Sequence, residues 1–144
     1  MSCNASRLKL LYLISMYFSV SILISMTELD NFLTHLTIER GVSANSYDAY
    51  QRDLNAYVRH LNKRQVLSLR EASYKDIQGF IASMRRRGLA PSSIARNLSA
   101  VRMFHRFLLS EGLAQTDPTL HVQAPKQPKR LPSVMNREEI LRLL

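Results

Sequence analysis

A single cysteine, Cys3, has no partner in the chain, which excludes a small module stapled by internal disulfides. No grouping of Cys and His has zinc-finger spacing, so a structural metal site lacks a ligand set. Four glycines and five prolines are too few for a fibrous or disordered chain, and 46% hydrophobic residues suffice to bury a core. There is no phosphate loop, no paired-glycine nucleotide fingerprint and no nucleophile elbow. The four histidines, His35, His60, His105 and His121, are scattered, and His105 falls on an apolar helical face, where a hydrogen-bonded core histidine is expected. No catalytic residue, metal, cofactor or small-molecule substrate is therefore expected. The 144 residues allow one compact domain with tails, and a cytoplasmic setting is the default expectation.

What is present is positive charge, concentrated in one block. Twenty Lys and Arg face eleven Asp and Glu, a net +9. Residues 26 to 80 are balanced at seven of each sign, whereas residues 81 to 130 carry nine cations against Glu111 and Asp117 alone. Such a block suits a polyanion or is a solvated helical face.

Residues 1–25 form a separate compositional unit: Arg7 and Lys9 precede an uncharged apolar run from Leu10 to Ile24. That run is shorter than the ~20 residues a membrane-spanning helix needs. Three readings stand open: a signal or anchor segment, an extra apolar helix, or a stretch upstream of a true start at Met26. The last is preferred because Thr27 and Asp30 make a capping-box-like helix start directly after it.

From Met26 the periodicity predicts helices and no strand. Leu29, Phe32, Leu33 and Leu36 mark a first helix ending at Gly41. Ser43 caps a second, with Tyr47, Tyr50, Leu54, Val58 and Leu61 on one stripe. After a polar connection, Ser73 and Asp76 open a third, with Ile77, Phe80, Ile81 and Met84 inward and Arg85, Arg86, Arg87 and Gly88 at its end. Pro91 starts a fourth, with Ile94, Leu98, Val101, Phe104 and Leu108 inward. Asp117-Pro118 supports a short fifth turn of helix. Three prolines between residues 125 and 132 make residues 123–135 an extended linker, and Asn136 with Glu139 caps a further helix that continues through Ile140 and Leu141 to residue 144.

The polar faces of the second and fourth helices carry the strongest functional signal. Arg52, Arg59 and Lys63 share one side of helix two; Ser99, Arg102 and Arg106 line helix four, with Arg96 farther round and Ser92 and Ser93 at its start. Side by side, two such faces suit a DNA major groove, with cations on phosphates and polar groups on base edges. Lys126, Lys129 and Arg130 of the linker could lie along a phosphate backbone or act as a solubilising spacer. Arg85 to Arg87 are explained first by the dipole of the helix they close.

The segments Ser43-Ala-Asn-Ser-Tyr-Asp-Ala-Tyr-Gln-Arg-Asp-Leu54, Ser92-Ser-Ile-Ala-Arg-Asn-Leu-Ser-Ala-Val-Arg-Met-Phe-His-Arg-Phe-Leu108, Asp117-Pro118 and Ala124-Pro-Lys-Gln-Pro-Lys-Arg-Leu-Pro132 closely resemble the amino-terminal half of XerC/XerD-like tyrosine recombinases of the phage-integrase family. The resemblance runs from about Met26 to the last residue. It implies an all-α, SAM-like four-helix core-binding domain of two helical hairpins over residues 26–122, with a short fifth helix. The linker and the first residues of a catalytic domain, 136–144, follow. It also implies that the catalytic residues of that family lie beyond this chain, and that Ser46 to Arg59 and Ser92 to Arg106 face a duplex recombination half-site, with a second recombinase protomer as a further expected partner. Position 105, often aromatic in that family, is His105 here. The competing expectation is a small basic helical module that meets an acidic protein or anionic lipid. A stand-alone helix-turn-helix regulator is disfavoured by the long connection from Gln65 to Ser73.

Overall fold

The computed structural model describes residues 3–66 and 68–124, and every regular element among them is helical. Four α-helices follow in order: α1 (Cys3–Arg40), α2 (Ala44–Lys63), α3 (Tyr74–Arg86) and α4 (Pro91–Ser110). They form two hairpins, α1–α2 and α3–α4, with α4 lying most extensively against α2. The linker cations Lys126, Lys129 and Arg130, and the helix start at Asn136, fall outside the described residues.

Local chemistry sets most boundaries. Gly41 adopts a φ of 56°, a left-handed conformation that ends α1 without the penalty a Cβ would bring. Ser43 then caps α2, its hydroxyl accepting from the Ser46 amide at 3.4 Å. At the start of α3, Asp76 accepts from the Ser73 amide at 3.0 Å, completing a capping box. Pro91 occupies the first turn of α4, where its missing N–H removes no helical hydrogen bond.

The first helix departs from expectation. Thr27 does not open a helix: its hydroxyl donates to the Leu23 carbonyl at 3.0 Å, inside a continuous helix of 38 residues. No Gly or Pro occurs before Gly41, and the Leu, Ile, Met and Tyr of residues 10–24 propagate a helix readily, so nothing stops it. Among the side chains of α1 that the structure describes, Ser25 is the first that is buried; Leu10 through Ile14 are exposed on every side, Tyr12 at 73%. None of the described helices is long and apolar enough to cross a membrane. A chain starting at Met26 should therefore unfold in urea with a free energy within about 1 kcal/mol of the full chain, because Ser25 is the one residue described as buried that it loses and Thr27 becomes available as a cap. In sedimentation the full chain should self-associate through the exposed apolar half of α1, and the shorter chain should not.

The core is where the four helices meet. Phe32 and Leu33 of α1, Leu54 and Tyr57 of α2, Ile77 and Phe80 of α3, and Leu98 and Phe104 of α4 are all essentially solvent-free. On α2 the buried line is Leu54, Tyr57 and Leu61, together with Asp53. Tyr47, Tyr50 and Val58, expected on it, are half-buried at its edge. The stripe is rotated toward Tyr57 because the Asp53 carboxylate has a cation to receive it.

Two short features complete the domain. A 3-10 turn at Leu69–Glu71, unanticipated in the polar connection, is capped by Ser68 and buries Leu69; Arg70 joins it to the buried Glu28 of α1. Asp117-Pro118 makes hydrogen-bonded turns rather than the fifth helix expected there. Asp117 accepts from the Thr119 amide at 2.8 Å and the Thr119 hydroxyl at 2.6 Å. The buried Val122 closes this segment onto the domain after a single turn.

Candidate nucleic-acid interface

The outward side of α2 is opposite its Leu54–Tyr57–Leu61 line, and it exposes Arg52, Arg59 and Lys63. The outward side of α4 exposes Ser92, Arg96, Ser99 and Arg106, with Ser93 and Arg102 half-buried on its flanks. Helical periodicity alone explains this sorting, since each set lies away from the apolar stripe of its own helix.

Hydrogen bonds divide these side chains into committed and uncommitted groups. Arg96 reaches from α4 to α2, where its Nε and Nη2 donate to the two carboxylate oxygens of Asp53, each at 3.1 Å. The carboxylate side chain is 8% exposed and the arginine 59%, so the pair seals the α2–α4 seam while leaving guanidinium edge in solvent. Arg102 donates to the Val122 carbonyl and latches the end of the described chain to α4. Ser46 serves the α2 cap, its hydroxyl accepting from Ser43 at 3.0 Å, and Ser99 donates to the Ala95 carbonyl at 3.0 Å. Arg52 donates from Nε to the Asp48 carbonyl at 3.2 Å, which orients it without neutralising it. Among the described residues, Arg52, Arg59, Lys63 and Arg106 form no ion pair.

The arrangement also brings together residues that sequence reasoning kept apart. Arg59 and Lys63 line a cleft of about 530 Å³ between α2 and α3, together with His60, Arg64, Arg86 and Arg87. Arg64 is held by Asp76 at 3.0 Å; the other four cations have no carboxylate partner among the described residues. Burial, then the positive charge of Arg64, lowers the pKa of His60, with Asp76 opposing and Arg86 and Arg87 adding to the decrease. Arg86 and Arg87 were legible only as helix-end cations, because the cleft needs α2 folded against α3.

Beneath α2 and α4, Tyr57 and His105 share a buried hydrogen bond of 2.9 Å. Burial pushes the Tyr57 hydroxyl up and holds His105 down at about 4, so both are neutral at ordinary pH and belong to the core. No group of His, Cys, Asp and Glu among the described residues could hold a metal ion.

Comparison with known proteins agrees with this architecture. A family profile described as phage integrase, N-terminal SAM-like domain, matches residues 29–112. The chain is 40% identical over 124 residues to tyrosine recombinase XerD of Mycobacterium tuberculosis, covering 81% of this chain and 40% of that protein. It is 44% identical over 116 residues to XerD of Brucella suis biovar 1, covering 81% and 37%. With tyrosine recombinase XerC of Xanthomonas campestris the identity is 37% over 120 residues, covering 83% and 37%. The chain thus spans about two fifths of the length of these relatives. No solved structure matches it. By its helical architecture and by these matches, the chain belongs to the phage integrase family, whose N-terminal SAM-like domain it carries.

Proposed function

We propose that residues 26–122 form a DNA-binding domain that docks on a duplex recombination half-site, with α2 and α4 toward the DNA. Residues 123–135 lead away as a linker along the phosphate backbone, and residues 136–144 begin a catalytic domain. These residues then contribute binding and positioning, beside a second recombinase protomer and in the cytoplasm where such sites lie, while strand transfer belongs to the catalytic domain. The observation that carries this reading is that Arg52, Arg59, Lys63 and Arg106 stand on the outer faces of α2 and α4 with no carboxylate among the described residues to neutralise them. Arg96 contributes the exposed edge of its guanidinium, fixed in direction by Asp53.

Fluorescence anisotropy with a duplex half-site, repeated across a salt series, tests it. Each phosphate contact adds about 0.9 to the slope of log K against log salt. The combined substitution Arg52→Ala, Arg106→Ala should lower that slope by about 2 and weaken binding uniformly across sequences. An unchanged slope and affinity would remove the reading. Liposome flotation addresses the competing one, favoured by the exposed apolar half of α1 next to Arg7 and Lys9: binding to anionic vesicles but not to duplex would establish a membrane module instead.

A further inference from the structure

The α2–α3 cleft has more positive charge than the fold uses. The carboxyl end of a helix presents about half a negative charge, and Arg85, Arg86 and Arg87 supply three positive ones at the end of α3. Two of the three, Arg86 and Arg87, turn into the cleft to meet Arg59 and Lys63 of α2. Four uncompensated cations around one concavity repel each other unless an anion joins them.

The floor of the cleft has an opening on its polar side. His60 Nε2 is buried and has no hydrogen-bond partner. It faces Gly79, where an added Cβ would lie 3.4 Å from that nitrogen and 3.1 Å from Arg64 Nη1. Gly79 thus lets the histidine and Arg64 approach α3 closely. The Ser83 hydroxyl is spent on the Phe80 carbonyl at 2.7 Å, so the donors available in the cleft come from its cations, with the His60 ring packed beside them. The guanidinium forks of Arg59, Arg86 and Arg87 beside the Lys63 ammonium suit a tetrahedral oxyanion, where bidentate N–H donation is strongest.

We propose that this cleft is a phosphate-binding site, adjoining the α2–α4 face and sharing Arg59 and Lys63 with it, and that it takes a backbone phosphodiester of the bound duplex. The duplex as source rests on the proposed function; the phosphate chemistry stands on the cleft itself. Arg59 and Lys63, at the lip, connect the cleft to the outer face of α2, so a strand crossing that face can place one phosphate between the two helices.

The test uses the full chain and two probes. Titration with inorganic phosphate, followed by NMR, should move the amides of Gly79 and Ser83 and raise the His60 pKa by about one unit, since an anion nearby favours the imidazolium. With duplex, Arg86→Ala, Arg87→Ala should lower the salt slope by about 1 to 2 while thermal unfolding stays at the parent value, and Arg86→Lys, Arg87→Lys should restore most of it. No phosphate response at His60, Gly79 or Ser83, together with an unchanged slope, overturns the proposal. A phosphate response with an unchanged slope overturns the duplex as the source and leaves a site for free phosphate. Should the parent fail to bind duplex at all, the DNA reading of the domain falls, and the phosphate titration alone still decides the cleft.

Discussion

Lowering the pH from 6.5 to 4 should remove about 3 kcal/mol of the domain's stability through His105 alone. Its side chain is 1% exposed, and burial holds its pKa at about 4 against a smaller upward pull from Asp117. In the unfolded chain the imidazole returns to about 6.5. Between these values the unfolded state binds a proton that the folded state refuses, so stability is full above pH 6.5 and declines as pH falls toward 4. The Tyr57 hydrogen bond does not rescue a charged ring, because His105 Nδ1 is buried with no partner. His60 shifts in the same direction and adds to the loss. Asp76 acts lower: burial raises its carboxyl, but hydrogen bonds from Ser73 and Arg64 overcome that and depress it, so its contribution disappears only as pH falls through its depressed folded value. For a domain of ordinary stability, 5–15 kcal/mol, the His105 loss is a large fraction. Urea unfolding at pH 7, 5.5 and 4.5 measures it. The double variant Tyr57→Phe, His105→Phe removes both polar partners and should leave only the His60 decline above pH 4.5; equal slopes in parent and variant would exclude His105 as the cause.

The same residue illustrates how far the sequence carries. Helical spacing placed His105 on the apolar side of α4, and the structure adds its partner, Tyr57, 48 residues away. Local signals held where local chemistry decides: Ser43, Ser73, Pro91 and the inward lines of α3 and α4 all sit as their spacing implied. They failed where a boundary depends on what does not interrupt it. The Thr27–Asp30 pattern resembles a cap, yet an uninterrupted helix former upstream absorbed it into α1. Asp117-Pro118 likewise has the right residues for a helix start, but Arg102 and the buried Val122 fix the chain in turns.

For the candidate interface the limit is set by distance along the chain. A helical wheel shows which cations leave the core and cannot show what they meet. Arg96 lies 43 residues from Asp53 and Arg102 lies 20 from Val122, so their engagement became visible only with the fold. The uniform basic ridge read on α2 is divided in the same way. Arg59 and Lys63 also border α3, and Arg86 and Arg87 gain a role that their position at a helix end had concealed.

Phe104→Ala should cost about 3–5 kcal/mol, the other large effect expected of a single change. Phe104 is fully buried and meets Phe32 edge-on with ring centroids 5.5 Å apart, while Phe32 also meets Phe107 at 5.4 Å. These rings are where the second half of α1 holds α4, so truncation leaves a void between two elements that cannot both collapse into it. Part of the effect belongs to the pair: Phe32→Ala, Phe104→Ala should cost less than the sum of the single changes by about 0.5–1.5 kcal/mol. Leu109→Ala, on an exposed position of the same helix, should stay within about 0.5 kcal/mol and controls for helix propensity. Urea unfolding of the four variants completes the cycle. Binding then supplies an independent check on the role of the fold, because a ligand that selects the folded state adds about 2.7 kcal/mol at a hundredfold excess over Kd. If the α2–α4 face holds DNA, saturating duplex should restore most of the structure lost in Phe104→Ala, and should not do so in a Phe104→Ala chain that also carries Arg52→Ala and Arg106→Ala.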